Sequence, residues 1–336
     1  MAIRRCGRVH FLVIASLLAL LGCARLRTPT LMEQVVTAGE GVQNAIFCGR
    51  GKHILATYRS GENQHLVRIS PGEETCRALT TGVRHDFSPA CSPDGTKIVF
   101  SSTTGPTTAA LFLVDSDGSN MTQLTDGTAF DWDAQFAPDG ASIVFASSRD
   151  GYQADLCLIE TDSRIRKQLT AGGSLTGGPH DTAPIFLPNA SAILFWRATS
   201  LWPSRMLGKY VWQSYALHEL RLDTGETHTL SRNHWTERLA GPITVSKDGK
   251  RVVFCTLDDD NDDPWLVSLF EPTSFRPVRP EGDRYVQLDK YKRNTREFGA
   301  ACIAPDGAAV VFTLEEKDAK GRSIHELHLQ TRLEVS

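Results

Sequence analysis

The chain carries no surplus of positive charge. Its 36 Lys and Arg residues are outnumbered by 39 Asp and Glu, giving a net charge of −3. Binding to phosphate backbones rests on a basic excess, so no nucleic-acid partner is expected. The main apolar run, Phe11–Leu21, holds 11 residues, against the roughly 20 that a membrane-spanning helix requires. No Cys-x-x-Cys pair occurs, which leaves zinc ribbons and thioredoxin-type redox motifs without support. G-x-S-x-G, G-x-x-x-x-G-K-[ST] and H-E-x-x-H are missing too, so the common hydrolase, nucleotide-binding and zincin signatures are excluded. What remains is ordinary globular chemistry: 41% apolar and 22% charged residues, 27 Gly and 16 Pro. That composition is not collagen-like, coiled-coil or disordered.

The amino terminus reads as an address. Arg4, Arg5 and Arg8 precede the run Phe11–Leu21, which fits the apolar core of a secretory signal. The run ends in Leu20-Leu21-Gly22-Cys23, which resembles a bacterial lipobox. That resemblance implies cleavage after residue 22 and lipidation of Cys23. Cleavage would remove three arginines and no acid, taking the net charge from −3 to −6. The expected attachment to the membrane is therefore through acyl chains rather than basic residues. Ala24 rather than Asp follows Cys23, which by bacterial sorting rules points to the outer membrane. Beyond the anchor lie Cys48, Cys76, Cys91, Cys157, Cys255 and Cys302. Most sit in apolar, strand-like runs, and the expectation is buried free thiols acting as small hydrophobes.

The rest of the chain repeats. Ser92-Pro93-Asp94-Gly95 and Ala137-Pro138-Asp139-Gly140 are each followed by a strand-like run, KIVFSS and SIVFASS. Leu187-Pro188-Asn189-Ala190, Ser246-Lys247-Asp248-Gly249 and Ala304-Pro305-Asp306-Gly307 continue the series, and Gly49-Arg50-Gly51 is a degenerate first copy. A second marker runs in phase with it: Leu79-Thr80, Leu124-Thr125, Leu169-Thr170 and Leu230-Ser231. Pro, Asp and Gly suit successive positions of a tight turn. Four short strands per unit of about 45 residues is the signature of a propeller blade. The units begin near Val42, Arg84, Phe130, His180, Leu239 and Phe298. The reading is thus all-β, a six-bladed β-propeller of four-stranded antiparallel blades. Its divisions are a signal peptide at 1–22, a lipidated tether and possible ring-closing strand at 23–39, and the propeller at 40–336.

SPDGTKIVFSSTTG, APDGASIVFASSRDG and LFLVDSDGSNMTQLT resemble the TolB-like, WD40-like propeller repeat of bacterial envelope proteins. The resemblance covers roughly residues 40–335. It does not extend to the N-terminal α/β domain of TolB. It implies the fold strongly and the function weakly.

Strand order sorts the unusual residues. His85, Asp86, Asp131, Asp133, His180 and Asp181 fall at first-strand entries, around one mouth of the central channel. Arg238 and Arg296 fall near the same level. Asp86, Asp131 and Asp181 each stand nine residues before their turn positions 95, 140 and 190. They suit either local backbone satisfaction or a binding mouth. Imidazole with carboxylate also suits a divalent metal, although no local spacing demands one; no other cofactor is implied. The insertion 197–215 carries Trp202, Tyr210, Trp212 and Tyr215, typical interface anchors. The run 258–263 is acidic, with Asp263 and Leu269 where a calcium loop needs Gly and Glu. The function expected is a lipid-anchored envelope module that binds a protein partner. The alternative is a propeller lyase or hydrolase acting through the channel-mouth residues.

Overall fold

The computed structural model describes residues 32–36, 42–49, 52–70, 76–148, 153–171, 180–204, 209–230, 234–235, 240–249, 252–256, 266–270, 296–303, 309–317 and 323–331. The described residues hold strands and turns and no helix. A short strand, β1 (Met32–Val36), comes first. The first unit then comprises β2 (Val42–Cys48), β3 (His53–Ser60), β4 (Asn63–Ile69) and β5 (Cys76–Ala78), paired in sequence order. The next has β6 (Asp86–Cys91), β7 (Lys97–Thr103), β8 (Ala109–Asp115) and β9 (Thr122–Gln123). It is followed by β10 (Phe130–Phe136), β11 (Ser142–Ser148), β12 (Asp155–Glu160) and β13 (Arg166–Gln168). Then come β14 (His180–Phe186), β15 (Ala192–Ser204), β16 (Lys209–Arg221) and β17 (Thr227–Thr229), with β18 (His234–Trp235) beside β16. Three described strands follow, β19 (Ala240–Val245), β20 (Val252–Thr256) and β21 (Leu266–Phe270). The last set is β22 (Arg296–Ile303), β23 (Ala309–Lys317) and β24 (Ser323–Thr331).

Each unit is an antiparallel meander. The turn between its first two strands explains the Pro-Asp-Gly signature. The Asp94 carboxylate accepts from the Thr96 amide at 3.0 Å and the Ser92 hydroxyl at 2.6 Å. The Gly95 amide donates back to the Ser92 carbonyl at 2.8 Å, with φ +75° at Gly95. A Cβ there would stand 2.6 Å from the Gly49 Cα of the neighbouring unit. Gly95 is thus fixed by conformation and by packing at once.

The Leu-Thr marker closes the outer edge. Thr80, Thr125 and Thr170 are buried, and each hydroxyl accepts from an amide of its unit's third strand, Leu66, Leu111 and Leu156, at 2.9 Å. These amides would otherwise be orphan donors at a sheet edge. The leucines Leu79, Leu124 and Leu230 are buried against the same sheets.

Sheets stack face to face. Ile46, Leu55 and Leu66 of the first unit share a core cluster with Ile98 and Phe100 of the second and with Cys302 and Val311 of β22 and β23. β2 packs on β6, β6 on β10, β10 on β14, β14 on β19 and β19 on β22; β22 packs back on β2. β1 pairs antiparallel with β24, from Met32 opposite Thr331 to Val36 opposite Leu327, and so joins the final sheet from the chain's other end.

One expectation about cysteine is corrected. Cys48 and Cys91 are joined in a disulfide, with Cα atoms 5.5 Å apart. They end β2 and β6, the first strands of adjacent units, and stand one repeat apart; this cross-blade proximity follows from the ring and is invisible in local sequence. Cys157 and Cys302 are buried thiols, and burial pushes both up from the usual thiol range, Cys302 to about 11. Cys76 is a half-buried thiol.

Candidate functional site: a cavity between first strands

Every first strand carries a register shift at the same place. The pairing skips between Gln43 and Ile46, Phe87 and Ala90, Trp132 and Gln135, and Thr182 and Ile185. At these bulges Asn44, Ser88, Asp133 and Ala183 adopt φ values of 51°, 47°, 52° and 50°. A bulge re-aims a side chain that regular pleating would point elsewhere. All four residues line one cavity of about 360 Å³. Its wall includes Pro89, Trp132, Gln135, His180, Thr182 and Tyr215. Four successive first strands therefore meet there, as an axial channel requires.

The cavity's polar groups form a chain across three units. The Ser88 hydroxyl donates to Asp133 Oδ1 at 2.8 Å, and the Thr182 hydroxyl donates to Asp133 Oδ2 at 3.0 Å. Trp132 Nε1 donates to the Thr182 oxygen at 3.0 Å. The rings of Trp132 and His180 stack with centroids 5.9 Å apart. Burial pushes the Asp133 carboxyl up from its ordinary value, while the Ser88 and Thr182 hydroxyls and the Ala183 amide pull it back. Burial also raises the Tyr215 phenol, to about 12. It is neutral at physiological pH.

The aligned carboxylates Asp86, Asp131 and Asp181 do not line this cavity. They are buried and pair with side chains sixteen residues on, directly across the first and second strands. Asp86 accepts from the Ser102 hydroxyl at 2.6 Å, and Asp131 from the Ser147 hydroxyl at 2.5 Å. Asp181 is held by Arg197 through two bonds of 2.7 Å. The local alternative expected backbone partners; the partners are side chains of the neighbouring strand. Burial raises the Asp131 carboxyl, partly offset by Ser147 and the nearby Arg166. His85 is exposed, and its amide bonds the Thr103 hydroxyl at 3.1 Å. Among the described residues no three His, Cys, Asp or Glu side chains converge as a metal site.

The insertion at 197–215 is an extended hairpin. β14 begins with His180 opposite Ala198, yet β15 and β16 go on pairing to Ser204 opposite Lys209. Six further residues at about 3.3 Å each carry the ribbon roughly 20 Å past that point. Trp202 pairs with Val211, Tyr210 with Pro203 and Trp212 with Leu201 along it. Tyr215, at the base, is buried with Trp196 and Leu217 and reaches the cavity. Arg296 opens β22 opposite Glu316. Cys23, Arg238 and the acidic run 258–263 lie outside the described residues.

Sequence reasoning singled out Asp133 and His180, and Tyr215 as an interface residue, but missed Asn44, Ser88, Trp132 and Thr182. Asn44, Ser88, Asp133 and Ala183 each stand seven residues before the turn position of their unit, at 51, 95, 140 and 190, but no shared residue type marks that position.

No family model and no curated protein matches the chain. Solved structures do. TolB from Acinetobacter baumannii is 16% identical with a TM-score of 0.55, over 88% of this chain and 64% of that one. An oligogalacturonate lyase in complex with manganese is 15% identical with a TM-score of 0.52, over 88% and 78%. Hydrazine synthase from Kuenenia stuttgartiensis is 14% identical with a TM-score of 0.55, over 83% and 78%. The chain spans just under two thirds of the Acinetobacter TolB length. At these identities the likeness establishes the fold, a TolB-like β-propeller, and the fold serves both binding proteins and enzymes.

Proposed function

We propose that the chain is a six-bladed propeller, lipid-anchored through Cys23 and facing the periplasm from the outer membrane, that binds a protein partner in the cell envelope. The order in which first strands pack supports six blades, since it returns from β22 to β2. A disulfide between Cys48 and Cys91 suits an oxidising compartment. The observation that carries the partner reading is the β15–β16 ribbon. It runs past the start of β14, on the face of the first-strand entries, and bears Trp202, Tyr210 and Trp212. Aromatic residues on a projecting element are common anchors, each costing about 2 kcal/mol or more when truncated.

The test is capture from solubilised envelope, with quantified affinity for the captured partner. Trp202→Ala and Trp212→Ala should weaken capture about thirtyfold with an unchanged melting temperature. Variants that melt early, with the affinity of the folded fraction intact, would assign these residues to packing. Cys23→Ala should abolish palmitate labelling.

A second reading, a lyase acting on acidic oligosaccharides, draws on the fold shared with the oligogalacturonate lyase. Against it, the described cavity wall offers Asp133 and, among the described residues, no Lys or Arg to hold a uronate carboxylate. Turnover of oligogalacturonate by the purified protein would restore it.

A further inference from the structure

We infer that the cavity between β2, β6, β10 and β14 is a binding site for a small organic cation, an ammonium group on an apolar body, with Asp133 as its counter-ion. The inference stands apart from the partner reading, which rests on the β15–β16 ribbon.

Three observations carry it. First, the wall is electrostatically one-sided. Among the described residues, Asp133 is its only acidic or basic side chain apart from His180, and no Lys or Arg lines it. Second, Asp133 is held in place by neighbours none of which, among the described residues, carries a positive charge. Ser88 and Thr182 each donate a hydroxyl, from the units on either side. Hydroxyl donors orient a carboxylate but leave its charge for another group to balance. A buried carboxylate in an ion pair looks different in this same molecule: Asp181 has Arg197 at 2.7 Å on both oxygens. Third, the surroundings suit an apolar body. Ile46, Pro89, Pro184, Trp132 and Tyr215 line the same space, and aromatic rings attract cations as well as apolar surface. The cavity's volume, about 360 Å³, lies within the range of small-molecule sites.

The raised Asp133 carboxyl agrees with this arrangement. A bound cation would favour the ionised form and recover the cost of burying the charge.

The ring of bulge residues then acts as the selecting set. β2, β6, β10 and β14 each contribute one side chain from a left-handed backbone position, and among these four only β10 contributes an acid. Asn44 lies on the same ring and can be changed to a carboxylate without a change of shape.

Binding of 2-phenylethylamine to the mature protein, followed by calorimetry and by tryptophan fluorescence, tests the inference. 2-Phenylethanol serves as the neutral control and calcium as the inorganic cation. The amine should bind with a Kd of about 0.1–1 mM, and the alcohol at least tenfold more weakly. Asp133→Asn should weaken the amine about tenfold or more and leave the alcohol unchanged. Asn44→Asp should tighten the amine several-fold, which keeps the test decisive if Asp133→Asn does not fold. Equal binding of amine and alcohol would overturn the inference, as would no response to either. Calcium binding that Asp133→Asn removes, with no amine binding, would make the site an inorganic one and overturn it too.

Discussion

His218 concentrates the consequences of burial in one side chain. It is 7% exposed on β16, and its ring lies 5.6 Å from that of Phe195. Its Nδ1 meets the Thr229 hydroxyl at 3.4 Å, and Nε2 has no hydrogen-bond partner among the described residues. Burial pushes its pKa down to about 4; Arg197 adds to the fall and Asp181 opposes it. The folded-state value is therefore below the ordinary 6.5. The unfolded chain binds the proton more readily, so acid favours unfolding. The contribution is complete above pH 6.5 and is lost as pH falls toward 4. Urea unfolding at pH 7 and pH 4.5 should show the native protein losing about 2 kcal/mol more than His218→Gln across that interval. Equal losses would mean that His218 is protonated and accommodated in the fold. The same neighbourhood shows how one repeat position accepts two solutions. Asp86 and Asp131 each face a serine, whereas Asp181 faces Arg197. Removing the arginine alone would strand a buried charge, a loss of about 3–5 kcal/mol in comparable pairs.

The element that repeats most faithfully is the outer edge of each sheet. Thr125 shows why a two-residue marker is preserved in three units. Its hydroxyl takes the Leu111 amide at 2.9 Å, while the Leu124 amide bonds the Leu111 carbonyl at 2.7 Å. Thr125→Val keeps shape and burial but removes the acceptor, leaving a buried amide unsatisfied. That should cost about 1–3 kcal/mol, and Thr125→Ser should cost less than 1 kcal/mol. Chemical denaturation of the two variants separates a hydrogen-bond role from simple packing, under which Val would equal the native residue. This element was legible in the sequence because its chemistry is local. Turn, strand and Leu-Thr edge fall within one 45-residue unit, and residue spacing alone locates them. The bulges were not legible. A register shift leaves the count of residues per unit unchanged, and Asn44, Ser88, Asp133 and Ala183 share a backbone conformation rather than a residue type. The partners of Asp133 were hidden for a related reason. Ser88 and Thr182 are 45 and 49 residues away, and only stacking the units brings them together.

At the scale of the whole molecule, stability depends on holding the ring shut. Units stack by apolar faces, and such contacts are weakest against a motion that parts two neighbours as rigid bodies. Two devices sit near the junction of the chain's ends. β1 crosses to pair with β24. The Cys48–Cys91 bond ties the first unit to the second across 43 residues, beside the surface where β2 meets β22 and β23. Cys48 shares its core cluster with Cys302 and Val311, so loosening the first unit would also loosen the last. A closed loop of this length restricts the unfolded chain by about 4 kcal/mol in the chain-entropy account. Cys48→Ser with Cys91→Ser should therefore lose about 2–4 kcal/mol and melt roughly 5–10 °C lower. Dithiothreitol should produce the same shift in the native protein and none in the double variant. The released first unit should also become the earliest site of hydrogen exchange, together with β22 and β23. Should the shift appear without added exchange in β22 and β23, the bond acts on the unfolded chain alone and the ring stays closed without it.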